Sequence, residues 1–304
     1  MTFAVPSLRK PTKSKWRLSP LDLVLIGLVA VGGTYVVLQA RSTLNYRWDW
    51  QVVAAFLVKT DPTTGRIVPN LLLEGLFTTL RLAFWGLALA VPIGVVMGAA
   101  RTSKRLLLRL ISGTYVLLVR NIPPLVFVFI VVFFIGSQVL PVLGIDSAVS
   151  QASQLTRWWL SLLFGQPSLI ENFLVGVFCL ALFSGAYVAE IVRAGIQSVS
   201  KSQIEAGDSL GLSRLDVMRF IVMPQALRNV LPPLANQFIQ LIKDSSLVSL
   251  VSIQELTFMA QDIQVLTQKV FEVLLFTGAT YFIICYGLSL AFGAIERRVA
   301  MARR

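Results

Sequence analysis

The side chains capable of chemistry are few, and they interrupt long apolar stretches. Lys243 and Asp244 stand together ahead of Ser245 and Ser246, and Asn236, Gln237 and Gln240 precede them. Glu190 lies three residues before Arg193, and Arg120 and Asn121 lead into Ile122, Pro123 and Pro124. Ionisable groups at membrane depth are costly, so each is a candidate site that could line a polar path, bind a charged solute or brace helices. Glu190 and Arg193 share one helical face and can pair there, which suits an interfacial brace as well as a site. Arg120 can reach for the interface or face a cavity where the prolines break its helix. Lys243 and Asp244, being adjacent, point in different directions and are not expected to pair; with the two serines they mark a break in a span. Asn236, Gln237 and Gln240 form a stripe suited to a pathway, to a neighbouring subunit or to packing between helices.

What the chain lacks excludes other chemistries. It contains no histidine, which removes imidazole metal ligands, Ser-His and Cys-His nucleophile pairs and the usual proton shuttle near neutral pH. Cys179 and Cys285 fall in apolar runs and read as packing residues without a disulfide framework. There is no Gly-x-x-x-x-Gly-Lys-Ser/Thr loop to cradle a nucleotide. With no converging nucleophile, acid–base pair or metal cluster, a membrane enzyme is a poor reading.

The elements that must position these residues are membrane helices. The 304 residues are 56% hydrophobic and only 14% charged, too little polar surface to cover a water-soluble globule of this size. Val273 to Ile295 and Ala83 to Ala100 are the clearest runs long enough to cross about 30 Å of hydrocarbon. Solid rather than alternating apolar runs predict helices and not a barrel. The expected spans are Leu23 to Leu38, Leu71 to Ala100, Leu107 to Ile135, Ile170 to Val192, one beginning near Pro232, and the last. The net charge of +12 could suit nucleic acid, but its distribution argues for topology instead. Eighteen of the twenty-seven basic residues fall in four clusters: Arg9 to Arg17, Arg101 to Arg109, Arg193 to Arg228, and Arg297 to Arg304. Placing all four in the cytoplasm gives six spans with both termini inside. Gly27, Gly32 and Gly33 are followed by no clear small-x-small cleavage site, so the first apolar run reads as a retained span rather than a signal peptide.

One hydrophilic island breaks the second half. In "IEAGDSLGLSRLDVMRFIVMP", Ser202 and Glu205 form a capping-box pattern, and Gly211 suits a left-handed stop. Ser213 can cap a second helix with Asp216 in its first turn, and Pro224 lies where that helix should end or bend. Leu215, Met218 and Val222 fall on one face at α-helical spacing.

The island resembles the signature of permease subunits of ATP-binding-cassette importers, a Glu-Ala-Ala, Gly, hydrophobic-Pro pattern standing here as Glu205, Ala206, Gly207, Gly211, Ile221 and Pro224. "SGAYVAEIVRAGIQSVSKSQIEAGDSLGLS", "MPQALRNVLPPLANQFIQLIKDSSLVSLVSIQELT" and "RNIPPLV" are similar to the polar amino-acid uptake branch. Gly207 stands where the second alanine is usual, and Asp208 and Met223 also depart from the pattern. The resemblance implies an all-α polytopic bundle of the type I importer permease fold, with five core helices and one extra. Its implied organisation is a basic arm (1–20), an extra span with an external loop (21–69), a permease core (70–298) containing the coupling loop 193–228, and a basic tail (299–304).

The resemblance also implies partners: a second, homologous or identical permease, two ATPases that bind the ATP and magnesium, a periplasmic or extracellular amino-acid-binding protein, and lipid of a bacterial inner membrane. The implied coupling residues are Glu205, Ala206, Gly207, Leu210, Gly211, Leu212 and Leu215, with Glu205 capping the loop or pairing with an arginine. An amino acid is a zwitterion, so Lys243 and free backbone N–H groups could hold its carboxylate and Asp244 its ammonium. Arg120, Asn121, Glu190, Asn236, Gln240, Ser245 and Ser246 complete the expected substrate path. The rival reading is an ion-coupled transporter or channel acting without an ATPase. It would favour acidic residues deep in several spans and an inverted repeat, and only Glu190 and Asp244 qualify.

Overall fold

Small residues set the central packing. Gly86, Ala90, Gly94 and Gly98 recur every four residues along one face of a 32-residue helix, and all four are buried. A Cβ built on Gly98 would lie 2.6 Å from the Ala189 carbonyl oxygen, and one on Gly94 would overlap Val188. Without side chains in the way, two backbones approach closely enough for dispersion and weak polar contacts to hold them in lipid. The helices meeting here, α3 (Leu71–Thr102) and α8 (Ile170–Gln197), form the most extensive helix pair.

The computed structural model describes residues 19–43, 46–63, 65–136, 138 and 141–301. Most of the basic arm, Arg9 to Arg17 included, and Arg303 and Arg304 of the tail lie outside the described residues. The chain resolves into two units, Met1–Trp48 and Asp49–Arg304. The first contributes α1 (Pro20–Thr43), whose Leu21, Leu25 and Val29 are exposed.

The larger unit begins with α2 (Gln51–Leu57) and an antiparallel hairpin, β1 (Val58–Thr60) and β2 (Ile67–Pro69), which pairs Val58 with Pro69 and Thr60 with Ile67. This hairpin is the one departure from the all-helical expectation among the described residues. Asp61 turns the chain by accepting from the Thr63 N–H at 2.8 Å, and Gly65 supplies a φ of +66°.

After α3 come α4 (Leu106–Asn121) and α5 (Pro124–Ile130), the latter extended by a π-helical turn, Val131–Gly136. The span expected over Leu107 to Ile135 is therefore two pieces, bent by 114°. Ile122 and Pro123 each precede a proline and are pushed to extended ψ values of 133° and 136°. Short helices α6 (Ile145–Ser150) and α7 (Gln154–Phe164) then lead to α8.

Beyond α8 lies α9 (Lys201–Ser209) and then α10, which starts at Arg214–Asp216, passes through a π-helical stretch at Val217–Val222 and continues as Met223–Asp244. It winds on as a 3-10 helix to Val251 and stops at Ser252, whose φ is +63°. Pro224 neither ends nor interrupts it. The proline follows a π turn, where the wider winding eases the clash its ring would make with a carbonyl of the preceding turn. Helices α11 (Leu256–Thr267) and α12 (Val270–Met301) complete the unit.

Leu71–Thr102, Pro167–Gln197 and Val270–Arg297 are each long and apolar enough to cross a membrane, and the bent α4–α5 pair adds a fourth crossing if counted as one. Pro20–Tyr35 is apolar but shorter. The body of α10, expected as a span, carries Arg228, Asn229, Asn236, Gln237 and Gln240, which makes it too polar to qualify on composition.

Candidate functional site

The Glu190 carboxylate gathers three guanidiniums. Arg193 donates from Nε at 3.0 Å and also from Nη2, Arg101 at the end of α3 pairs with the other oxygen, and Arg120 at the end of α4 stands at 3.9 Å. Arg120 also lies over the Tyr187 ring, 5.4 Å from its centroid, where a cation is attracted to the aromatic face. The Glu190–Arg193 pair was expected from spacing; Arg101 and Arg120 were not, because they come from other helices. Three positive charges against one negative leave the cluster cationic. A cavity of about 290 Å³ beside it is lined by Arg101, Arg120, Asn121 and Glu190. Asn121 itself turns back to donate to the Leu117 carbonyl at 2.7 Å.

The residues of α10 separate into two faces. Asn236, Gln240 and Lys243 are exposed along one side of the helix, while Gln237 and Ser245 are buried on another. Gln240 donates to the Asp244 carboxylate at 2.8 Å, one turn away, and no salt bridge joins Asp244 to Lys243. The expected break at Ser245 and Ser246 is a tightening into 3-10 winding. Each hydroxyl bonds back to a carbonyl three residues earlier, Ser245 to Ile242 and Ser246 to Lys243, both at 2.7 Å. The structure thus brings Asn236, Gln240, Lys243 and Asp244 together but turns Ser245 inward.

In the island, Gly211 has a φ of +76° and no atom near the position of a Cβ, as its left-handed stop requires. Ser213 caps the next turn by accepting from the Asp216 N–H at 3.3 Å. The capping box is not formed: Ser200, not Ser202, precedes the first turn of α9, and its side chain makes no cap bond. Glu205 and Ala206 are exposed, and Glu205 makes no salt bridge among the described residues. Gly207 is buried; a Cβ there would come within 2.6 Å of the Ile221 Cδ1, so its smallness serves packing inside the island.

The buried face at the start of α10 is Val217 and Val222, five apart; of the α-helical trio Leu215, Met218 and Val222, only Val222 is buried. A π turn bonds i to i+5 and shifts the apolar face by about one position per turn. Leu210 is 82% exposed and Leu215 72%, with Leu212 less so. The base is pinned to α8, where Asn229 donates to Ser198 Oγ at 2.8 Å and Gly195 leaves room for Val230.

At the other end of the bundle lies a buried carboxylate that sequence reasoning passed over. Glu255 is fully buried and accepts from the Phe258 N–H at 2.9 Å, the Tyr281 hydroxyl at 2.7 Å and the Thr79 hydroxyl at 3.2 Å. Burial pushes this carboxyl above the ordinary carboxylate range, against the pull of its donors. Its only sequence signal was a glutamate one residue before an apolar helical run, an N-cap position. The knot ties α3, the start of α11 and α12 together.

A family described as "Binding-protein-dependent transport system inner membrane component" matches residues 90–301, most of the chain. The chain belongs to this family. It is 33% identical over 228 residues to the "Probable glutamine ABC transporter permease protein GlnP" of Bacillus subtilis, covering 74% of this chain and 92% of that protein. The "Glutamine transport system permease protein GlnP" of Escherichia coli K12 is likewise 33% identical, over 75% of this chain and 93% of its own length. Among solved structures, the "Crystal structure of an amino acid ABC transporter with histidines" matches at a TM-score of 0.63 and 30% identity, covering 83% of this chain and all of that one. The MetNI methionine ABC transporter matches in fold at a TM-score of 0.53 and 17% identity. The protein is a multi-pass membrane permease component of an ATP-binding-cassette system, with the type I importer permease fold.

Proposed function

We propose that this subunit forms, with a second permease, the translocation path of an ATP-driven importer of polar amino acids, with glutamine the first candidate from its relatives. The observation that carries the coupling step is the island. Its base is buried against α8, while Leu210 and Leu215 project uncovered from α9 and the start of α10. Exposed apolar anchors on a firmly seated projection fit docking into a groove of a separate protein. That protein is the ATPase, which binds ATP and magnesium. Glu205, Ala206, Gly211 and Leu212 border the anchors. The end bearing the arginines faces the cytoplasm of a bacterial inner membrane, and an external amino-acid-binding protein delivers substrate to the opposite end. The exposed stripe of Asn236, Gln240 and Lys243, with the half-buried Asp244 beside it, lines the path, with a cation and an anion for the two charges of the amino acid.

Two measurements test this reading. The subunit is expected to co-purify with an ATPase and, once reconstituted, to take up L-glutamine or another polar amino acid only when ATP is present. A double substitution of Leu210→Asp and Leu215→Asp should abolish ATPase capture and uptake while leaving the melting temperature within a few degrees. Uptake at full rate by that variant, or without any ATPase as an ion-coupled transporter would show, overturns the proposal.

A further inference from the structure

A second cavity, of about 450 Å³, opens at the end of the bundle opposite the arginine cluster. It lies between the first turns of α3, the hairpin, the loop after α7 and the turn at Ser252. Its charged residues are Lys59, Glu74 and Arg81. Glu74 is shared between Lys59, at 3.7 Å, and the Gln166 amide, at 3.3 Å. Arg81 spends its Nε on the Leu162 carbonyl at 3.1 Å and has no carboxylate partner among the described residues. The cavity therefore holds one uncompensated guanidinium beside an anion.

One short loop touches both groups. Gly165 lies against the Arg81 guanidinium, since a Cβ on it would be 3.4 Å from Nη1, and the next residue, Gln166, bonds Glu74. Phe77, Phe164 and Phe173 supply an apolar wall, and Asn172 and Gln254 add neutral polar groups. A few convergent polar groups in an otherwise apolar concavity are the usual make-up of a small-molecule site. The guanidinium offers the paired donors that a carboxylate accepts, and Glu74 can accept from an ammonium. Lys59, Glu74 and Arg81 come from the hairpin and the first turns of α3, and the apolar wall comes from α3, α7 and α8.

We propose that this cavity is an entry site for the zwitterionic head of an L-α-amino acid, holding the carboxylate on Arg81 and the ammonium on Glu74. It is separate from the α10 stripe, and the proposal rests on the transport reading above.

The test uses the assembled transporter in membranes, with Ser161 in the cavity wall changed by Ser161→Cys and the half-buried natural thiol removed by Cys285→Ser. Modification by a charged, membrane-impermeant thiol reagent reports occupancy. L-Glutamine is expected to protect this cysteine; glutaramic acid, which lacks the α-amino group, and 4-aminobutanamide, which lacks the α-carboxylate, are not. Arg81→Gln or Glu74→Gln should each raise the half-protecting concentration about tenfold or more, while the unprotected modification rate stays the same. Absence of protection by L-glutamine, equal protection by the two analogues, or protection undiminished in both variants overturns the proposal. If a variant misfolds, the analogue comparison in the otherwise unaltered cavity decides. ATP-driven uptake without protection rejects this site alone; protection without ATP-driven uptake keeps the site and rejects the transport reading.

Discussion

Glu190 and Glu255 are two glutamates set near opposite ends of α3, and they are satisfied by opposite means. Glu190 is surrounded by charge, with Arg101, Arg120 and Arg193 brought from α3, α4 and α8. Glu255 meets no charge and takes one backbone N–H and two hydroxyls instead. Around Glu190 the side chains remain 22 to 41% exposed, so water shares the work of solvation. Glu255 is sealed at 0%. At the partly wet end a surplus of cations is tolerated; at the dry end only a complete set of neutral donors suffices. Removing the carboxylate therefore creates a different defect in each place: unscreened cations in one, orphaned hydroxyls in the other.

The largest effect is expected from Glu190→Ala. Taking away the only anion of the cluster leaves three guanidiniums facing one another, and losing charge-assisted hydrogen bonds at this partly exposed site costs about 2 to 3 kcal/mol. Thermal unfolding in detergent should show it, and adding Arg101→Ala should restore part of the loss, a coupling of roughly 1 kcal/mol or more. Equal and independent losses would remove the distinction drawn between the two ends.

Next comes Glu255→Gln, which keeps the shape but turns one acceptor into a donor against existing donors, for about 2 kcal/mol. Its pH dependence sharpens the contrast. Because the folded carboxyl titrates above its unfolded value, its contribution is complete below the ordinary glutamate pKa and fades as pH rises through the raised value. Unfolding from acidic to neutral pH should show the wild-type losing ground to Glu255→Gln. A constant difference between them would contradict the burial of this group. Tyr281→Phe removes a single donor from the knot and should cost about 1 kcal/mol in the same assay. The smallest change is expected for Lys59→Met. The Lys59–Glu74 contact is long and half exposed, and its loss should stay within about 0.5 kcal/mol.

Much of this was legible in the sequence wherever the cause is local. Gly211 stands at its left-handed stop and Ser213 at its cap, because a single residue decides each. Pro123 and Pro124 announced an interruption, but the 114° bend depends on two successive extended residues and on packing beyond them. α-Helical spacing puts Leu215, Met218 and Val222 on one face, but the structure buries only Val222 of the three. The π turn at Val217–Val222 moved that face to Val217, and no residue type reports such a turn. Ser202 fitted a capping box, yet the chain starts the helix two residues earlier, at Ser200. The four-residue recurrence from Gly86 to Gly98 was present in the sequence, but which helix it receives depends on the tertiary arrangement. Distance along the chain hid the rest: Arg101 and Glu190 are 89 residues apart, and Thr79 and Glu255 are 176 apart.

The uninterrupted winding of α10 from Arg214 to Asp244 joins the exposed turn beside Leu215 to the polar stripe at Lys243. At about 1.5 Å per residue the two ends are roughly 45 Å apart along the winding, with no loop between them, and Pro232 and Pro233 each remove one backbone hydrogen bond on the way. If the docking proposed above occurs at the near tip, one continuous backbone runs from that grip to the far tip, passing Gly195 of α8 part-way, where Val230 lies as close as a side chain can.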